Sequence, residues 1–163
     1  MAWAFTQYVP PMDDLLKRFK FHNKTSLRKT FLAVARTFLE RYDIRLDEFQ
    51  ALVPVPMTPV RLRERGYDQA LILAQGLSEL LKIPCDTTLI TRRKQARPQS
   101  SLPAKERWTN IHGAFRMKRF LKNNKNILIV DDLLTTGATT SEMARALKEG
   151  GAGKVGLLAL AVT

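Results

Sequence analysis

The sequence predicts an α/β fold: an open, mostly parallel, twisted sheet flanked by helices, with a helical N-terminal segment. Three observations predict it. Short apolar runs bounded by prolines, glycines or charged loops alternate with stretches whose apolar residues recur at helical spacing. The run ILIVDD, Ile127 to Asp132, leads at once into a glycine-containing loop and then a helix, the strand–loop–helix order of a parallel sheet. The 163 residues are enough for one domain with a buried core, and no repeat or clear linker divides them. Residues 1–50 read as the helical segment and 51–163 as the α/β core, within a single domain.

The elements follow in order. Asp13 to Phe21 is a short helix with Leu15, Leu16 and Phe19 on one face and Lys17, Arg18 and Lys20 elsewhere. Ser26 to Tyr42 is a stronger one, since Phe31, Val34, Ala35, Phe38 and Leu39 keep the helical period. Ala51 to Pro56 (ALVPVP) is an apolar strand that its prolines end. The segment TPVRLRERG reads as a basic loop. Tyr67 to Lys82 returns to helix, with Tyr67, Ala70, Leu71, Ala74, Leu77 and Leu81 on a face. A strand over Thr87 to Thr91 precedes a polar, proline-broken stretch in which Pro103 could open a short helix through Asn110. Strands are expected at Ala114 to Arg116 and at Asn126 to Asp131. A helix from Thr139 to Lys148 stops at Gly150-Gly151, and Val155 to Val162 forms the last strand.

Charge is the unusual bulk property. Lys and Arg number 27 against 15 Asp and Glu, a net charge of +12. Such a balance favours polyanionic partners: nucleic acid, phosphorylated small molecules or an acidic protein. Much of it is concentrated between Arg92 and Lys125, where eleven basic residues face one acid, Glu106. Trp108, Phe115 and Phe120 interleave with them. A basic groove with aromatic platforms suits sequence-tolerant single-strand binding, so Arg92, Arg93, Lys94, Arg97, Lys105 and Arg107 are nucleic-acid candidates. The competing reading makes Arg92 to Arg107 a loop that closes over a small ligand, and the two are compatible.

A lone cysteine, Cys85, excludes an internal disulfide and a thiolate zinc cluster. His22 and His112 stand apart without matching acids, so no zinc site is expected. The start lacks a basic region before its prolines, and no apolar run reaches membrane-spanning length. A cytoplasmic protein without membrane insertion is expected.

The chemistry concentrates in ILIVDDLLTTGATTSEM, Ile127 to Met143. Parallel sheets bind ligands beyond the carboxyl ends of their strands. Asp131 and Asp132 fall at such an end. The loop that follows offers backbone amides beside Gly137 and Ala138, hydroxyls from Thr135, Thr136, Thr139 and Thr140, and the positive end of a helix dipole. These suit a phosphate. The carboxylates would repel it but suit neighbouring hydroxyls or a metal ion, so a sugar phosphate satisfies both. A Walker B strand would need a G-x-x-x-x-G-K-[ST] loop, which is missing. A receiver domain would need a phosphorylated aspartate on a later strand, and no Asp follows Asp132. A plain Asp turn with a threonine-rich helix cap would not need both aspartates and a bare-backbone loop.

VDDLLTTGATT is similar to the ribose-phosphate signature of type I phosphoribosyltransferases, which bind phosphoribosyl pyrophosphate (PRPP). Together with PVPMTPVRLRERGYDQA and RRKQARPQSSLPAKERWTNIHGAF, in that order, it resembles the ComF/ComFC family. The resemblance implies a type I phosphoribosyltransferase-like fold. It places the ribose hydroxyls, with a Mg²⁺ ion, on Asp131 and Asp132, and the 5'-phosphate on Thr135, Thr136, Gly137, Ala138, Thr139 and Thr140. It puts pyrophosphate at the loop beginning near Pro54 to Met57, with Arg61 and Arg65 as candidate contacts. It also implies a role in natural competence on internalised single-stranded DNA, beside a helicase-like partner such as ComFA. An active phosphoribosyltransferase on an unidentified acceptor is the alternative. Two departures stand out: relatives often carry a cysteine-rich zinc ribbon, which a chain with one cysteine does not hold, and their Gly-Phe-Asn-Gln reads here Gly66-Tyr67-Asp68-Gln69. Asp68 is therefore not carried over as a ligand.

Overall fold

The computed structural model describes residues 1–22, 24–93 and 111–163. The main sheet holds four parallel strands in the order β1-β6-β5-β2: β1 (Ala2–Gln7), β2 (Ala51–Pro54), β5 (Ile127–Leu134) and β6 (Val155–Val162). Two short strands, β3 (Ile90–Arg92) and β4 (Phe115–Met117), pair antiparallel as a separate ribbon. The helices are α1 (Met12–Phe21), α2 (Arg28–Arg41), α3 (Pro59–Arg65), α4 (Gln69–Leu81) and α5 (Ala138–Glu149).

The central strands are apolar almost throughout because both faces of the sheet are covered. With a side-chain period of two, successive residues enter opposite cores. Leu52, Leu128, Val130, Leu158 and Leu160 join Phe5, Leu16, Phe19, Phe31, Ala35, Leu73 and Leu77, the layer of α1, α2 and α4. Val53, Ile127, Ile129 and Leu157 join Met143, Ala146 and Leu147 of α5, with Leu89, Ile90, Ile111 and Phe115 around the β3–β4 ribbon.

Three expectations change. The N-terminal segment is not wholly helical, because it opens with β1, which runs beside β6 from Ala2 opposite Leu157 to Gln7 opposite Val162. As an edge strand AWAFTQ buries only Phe5, and its short apolar start lacks the length and the turn signals that mark the inner strands. TPVRLRERG is no loop but helix α3. Thr58 accepts from Arg61 N at 3.4 Å, Pro59 fills the first turn, and Gly66 at φ 78° ends it. Finally β5 runs past Asp131 to Leu134, held by β6 through Asp131–Ala159 and Leu134–Val162. The short helix expected after Pro103 lies outside the described residues.

Candidate functional site

β2 ends early. Its last register pair is Pro54 with Val130, and Val55 N adds a bond to Val130 O at 2.9 Å. Beyond this point β5 keeps β6 on one side only, and a crevice opens beside Asp131 and Asp132. Of the two helices between β2 and β3, α4 packs on one face of the sheet, and the helix after β5 (α5) packs on the other. Adjacent strands whose following helices diverge in this way make the switch-point cleft where open sheets bind ligands.

Two adjoining cavities occupy the cleft. The larger, about 340 Å³, is lined by Thr135, Thr136, Gly137, Ala138, Thr139 and Thr140, by Asp131, and by Tyr8, Lys20, Phe21, Arg61 and Arg65. The smaller, about 120 Å³, is bounded by Met57, Arg61, Arg65, Asp68, Gln69 and Arg92 around Asp131, Asp132 and Lys20. All the residues expected to hold phosphate, ribose and pyrophosphate thus meet in one place.

The loop between β5 and α5 is tightly turned. Gly137, at φ 74°, stands at the N-cap of α5 and lends it no side-chain cap, and the positive end of the helix dipole faces the loop. Thr136 Oγ1 accepts from Ala138 N at 3.4 Å, and Thr140 Oγ1 donates to Gly137 O at 3.1 Å, which ties the turn. Ala138 is buried against the core beneath, so no side chain there enters the loop.

The carboxylates are not equivalent. Burial and the neighbouring Asp132 carboxylate push Asp131 up to about 7, opposed by the bond from Asp132 N (2.8 Å) and by Lys20 and Arg92. Asp132 pairs with Lys20 Nζ at 2.8 Å. Burial draws Arg92 down to about 10, with Arg61 adding to the effect and Asp131 opposing it. Asp68 caps α4, accepting from Leu71 N at 3.0 Å, and its carboxyl is raised by burial. Arg65 spans the site: Nη1 donates to Gln69 Oε1 at 2.8 Å, and its guanidinium lies 5.0 Å from the Phe21 ring centre.

Of the nucleic-acid candidates, Arg92 lines the smaller cavity and Arg93 is exposed. Lys94, Arg97, Lys105 and Arg107 lie outside the described residues. Sequence reasoning missed Lys20, Tyr8, Phe21 and Gln69. The first three come from the N-terminal elements, and only the pairing of β1 with β6 brings those elements to the cleft. Gln69 precedes the apolar run ALILA in the sequence, and the structure leaves it only 1% exposed. Among the described residues no three His, Cys, Asp or Glu side chains gather as a metal cluster, and no helix is long and apolar enough to cross a membrane.

Comparison with known proteins agrees with this geometry. Residues 67–162 match the phosphoribosyl transferase domain family. The chain is 35% identical over 162 residues to competence protein F of Haemophilus influenzae, covering 94% of this chain and 69% of that protein. It is 31% identical over 150 residues to the DNA utilization protein YhgH of Escherichia coli, covering 91% and 66%. It is 30% identical over 151 residues to competence protein ComFC of Streptococcus pneumoniae, covering 91% and 62%. The chain thus spans about two thirds of the length of these relatives. With a glycine loop and an acidic pair sharing one cleft of a parallel sheet, the family match and these identities make the chain a member of the phosphoribosyl transferase domain family, in the branch of competence protein F and ComFC.

Proposed function

We propose that this protein binds PRPP or a related ribose phosphate and acts in natural competence, handling internalised single-stranded DNA in the cytoplasm. The observation that carries the ligand is the cleft in which the glycine-led start of α5 (Gly137–Thr140), a carboxylate pair (Asp131, Asp132) and a cluster of cations (Lys20, Arg61, Arg65, Arg92) adjoin. The 5'-phosphate takes the amides and hydroxyls of Thr135 to Thr140. The ribose hydroxyls donate to Asp131 and Asp132. Arg61 and Arg65 reach pyrophosphate from α3, beside the β2 loop at Met57.

Magnesium fits as a companion of the ligand. It commonly needs only one or two protein carboxylates and takes its other oxygens from substrate phosphates and water. Asp131 and Asp132 would hold it, and it would neutralise negative charge on pyrophosphate. The DNA role draws on the names of the relatives and on the basic stretch after Arg92, and a helicase-like partner of the ComFA kind belongs to the same reading.

The test is calorimetric titration of PRPP with Mg²⁺ into wild type and into the double variant Asp131→Asn/Asp132→Asn. Heat in wild type that the variant lacks supports the ligand; no heat in wild type refutes it. A second reading, phosphoribosyl transfer to a small acceptor, is favoured by the cations gathered on the leaving-group side. The bond from the anomeric carbon to pyrophosphate would break as the acceptor bonds to that carbon, and the arginines would stabilise the departing charge. Pyrophosphate release on addition of candidate acceptors checks it, and its absence with all nucleobases counts against it.

A further inference from the structure

We propose that Lys20 is a built-in counter-cation for the carboxylate pair and frees ligand binding from strict dependence on a divalent metal. The inference rests on the ribose-phosphate reading above. Lys20 Nζ stands 2.8 Å from Asp132 Oδ1, and the two side chains are only 17% and 14% exposed. The other ion pairs of α1, Lys17–Asp13 and Arg18–Asp14, join neighbours on the same helix and leave their cations more than half exposed. Lys20 instead crosses from the N-terminal layer to the centre of the cleft.

Its position is enforced. Leu16 and Phe19, on the same helix, are fully buried, and the Tyr67 hydroxyl donates to the Phe19 carbonyl just before Lys20. The ammonium carries three donors on a compact charge. Asp132 takes one, and Lys20 lines both cavities, where ligand oxygens can take the others. Of the three carboxylates around the smaller cavity, a divalent ion would find Asp132 already in contact with a cation and Asp68 engaged in capping α4. It also meets Arg61, Arg65 and Arg92 in the same lining. The charge that a metal would supply at Asp132 is therefore largely supplied by the chain itself.

The experiment titrates PRPP into the full chain with Mg²⁺ and again with excess chelator, for wild type and Lys20→Met. In parallel, Mn²⁺ alone is titrated into each ligand-free protein and followed by electron paramagnetic resonance. Wild type should lose less than about threefold in affinity on chelation, whereas Lys20→Met should lose at least about tenfold. Lys20→Met should also gain a Mn²⁺ site that wild type lacks, and Lys20→Arg should resemble wild type more than Lys20→Met does. A lysine that serves only folding would leave the metal dependence unchanged.

Loss of about tenfold or more by wild type on chelation overturns the inference and leaves the ribose-phosphate reading standing. No PRPP heat in wild type under either condition overturns both. If Lys20→Met does not fold, the wild-type titrations decide. Tight Mn²⁺ binding by ligand-free wild type that Asp132→Asn abolishes overturns the role of Lys20, and weak or no Mn²⁺ binding together with metal-tolerant PRPP binding upholds it.

Discussion

Asp131 answers two opposed demands. As a ligand group it must be ionised, yet burial and the adjoining Asp132 hold its proton up to about 7. PRPP affinity that depends on this carboxylate should fall on the order of tenfold between pH 7.5 and 5.5, and Asp131→Asn should lose that dependence; calorimetry at several pH values checks it. The stability effect has the opposite sign. A raised folded-state value means that the folded protein holds the proton more tightly than the unfolded chain. The stabilisation is fully present below the unfolded value, near 3.8, and is lost as pH rises through about 7. Asp131→Asn should therefore be more stable than wild type at pH 8, by about 1 kcal/mol, with the gain shrinking toward pH 5 in denaturant melts. Gly137 is the companion case. At φ 74° an alanine pays about 1 kcal/mol, while its Cβ meets only Leu134 and Ser141 at 3.9 Å. Gly137→Ala should fold with that modest loss and bind PRPP about tenfold more weakly, because the methyl group narrows the loop.

At the scale of elements, legibility followed the source of each signal. The acidic strand, its loop and α5 could be read directly, because apolar run, carboxylates, glycine and helical period follow one another without interruption from Ile127 to Glu149. Helix α3 could not, since RLRER has no apolar face to bury and is held by its ends, Thr58, Pro59 and Gly66. β1 was hidden because its partner β6 lies at the other end of the chain. Gly66-Tyr67-Asp68-Gln69 looked like a departure of unknown effect, and the structure gives Asp68 a local job. Asp68→Ala should cost about 1 kcal/mol through the lost cap on α4, whereas Asp68→Asn, which keeps the accepting oxygen, should be near neutral; urea midpoints distinguish them.

At the scale of the whole molecule, stability resides in the two apolar layers, and the net charge of +12 plays no part in choosing the fold. Leu158 is fully buried in β6, the strand between β1 and β5, and Leu158→Ala should cost roughly 2–5 kcal/mol in equilibrium unfolding. If the basic surface serves single-stranded DNA, affinity should fall at least about tenfold between 50 and 200 mM salt, measurable by fluorescence anisotropy. That surface was legible only as composition. A charge count does not say which side chains face outward, and Arg92 lies in the cleft instead.

The divergence of α4 and α5 to opposite faces has a mechanical consequence. The loop after β5 is anchored through α5 in one layer, and α1, the bearer of Lys20, in the other, so the cleft is a vice whose jaws have separate mountings. A cavity cut beneath α5 would loosen the glycine loop and spare the cationic jaw. One cut beneath α1 would do the reverse.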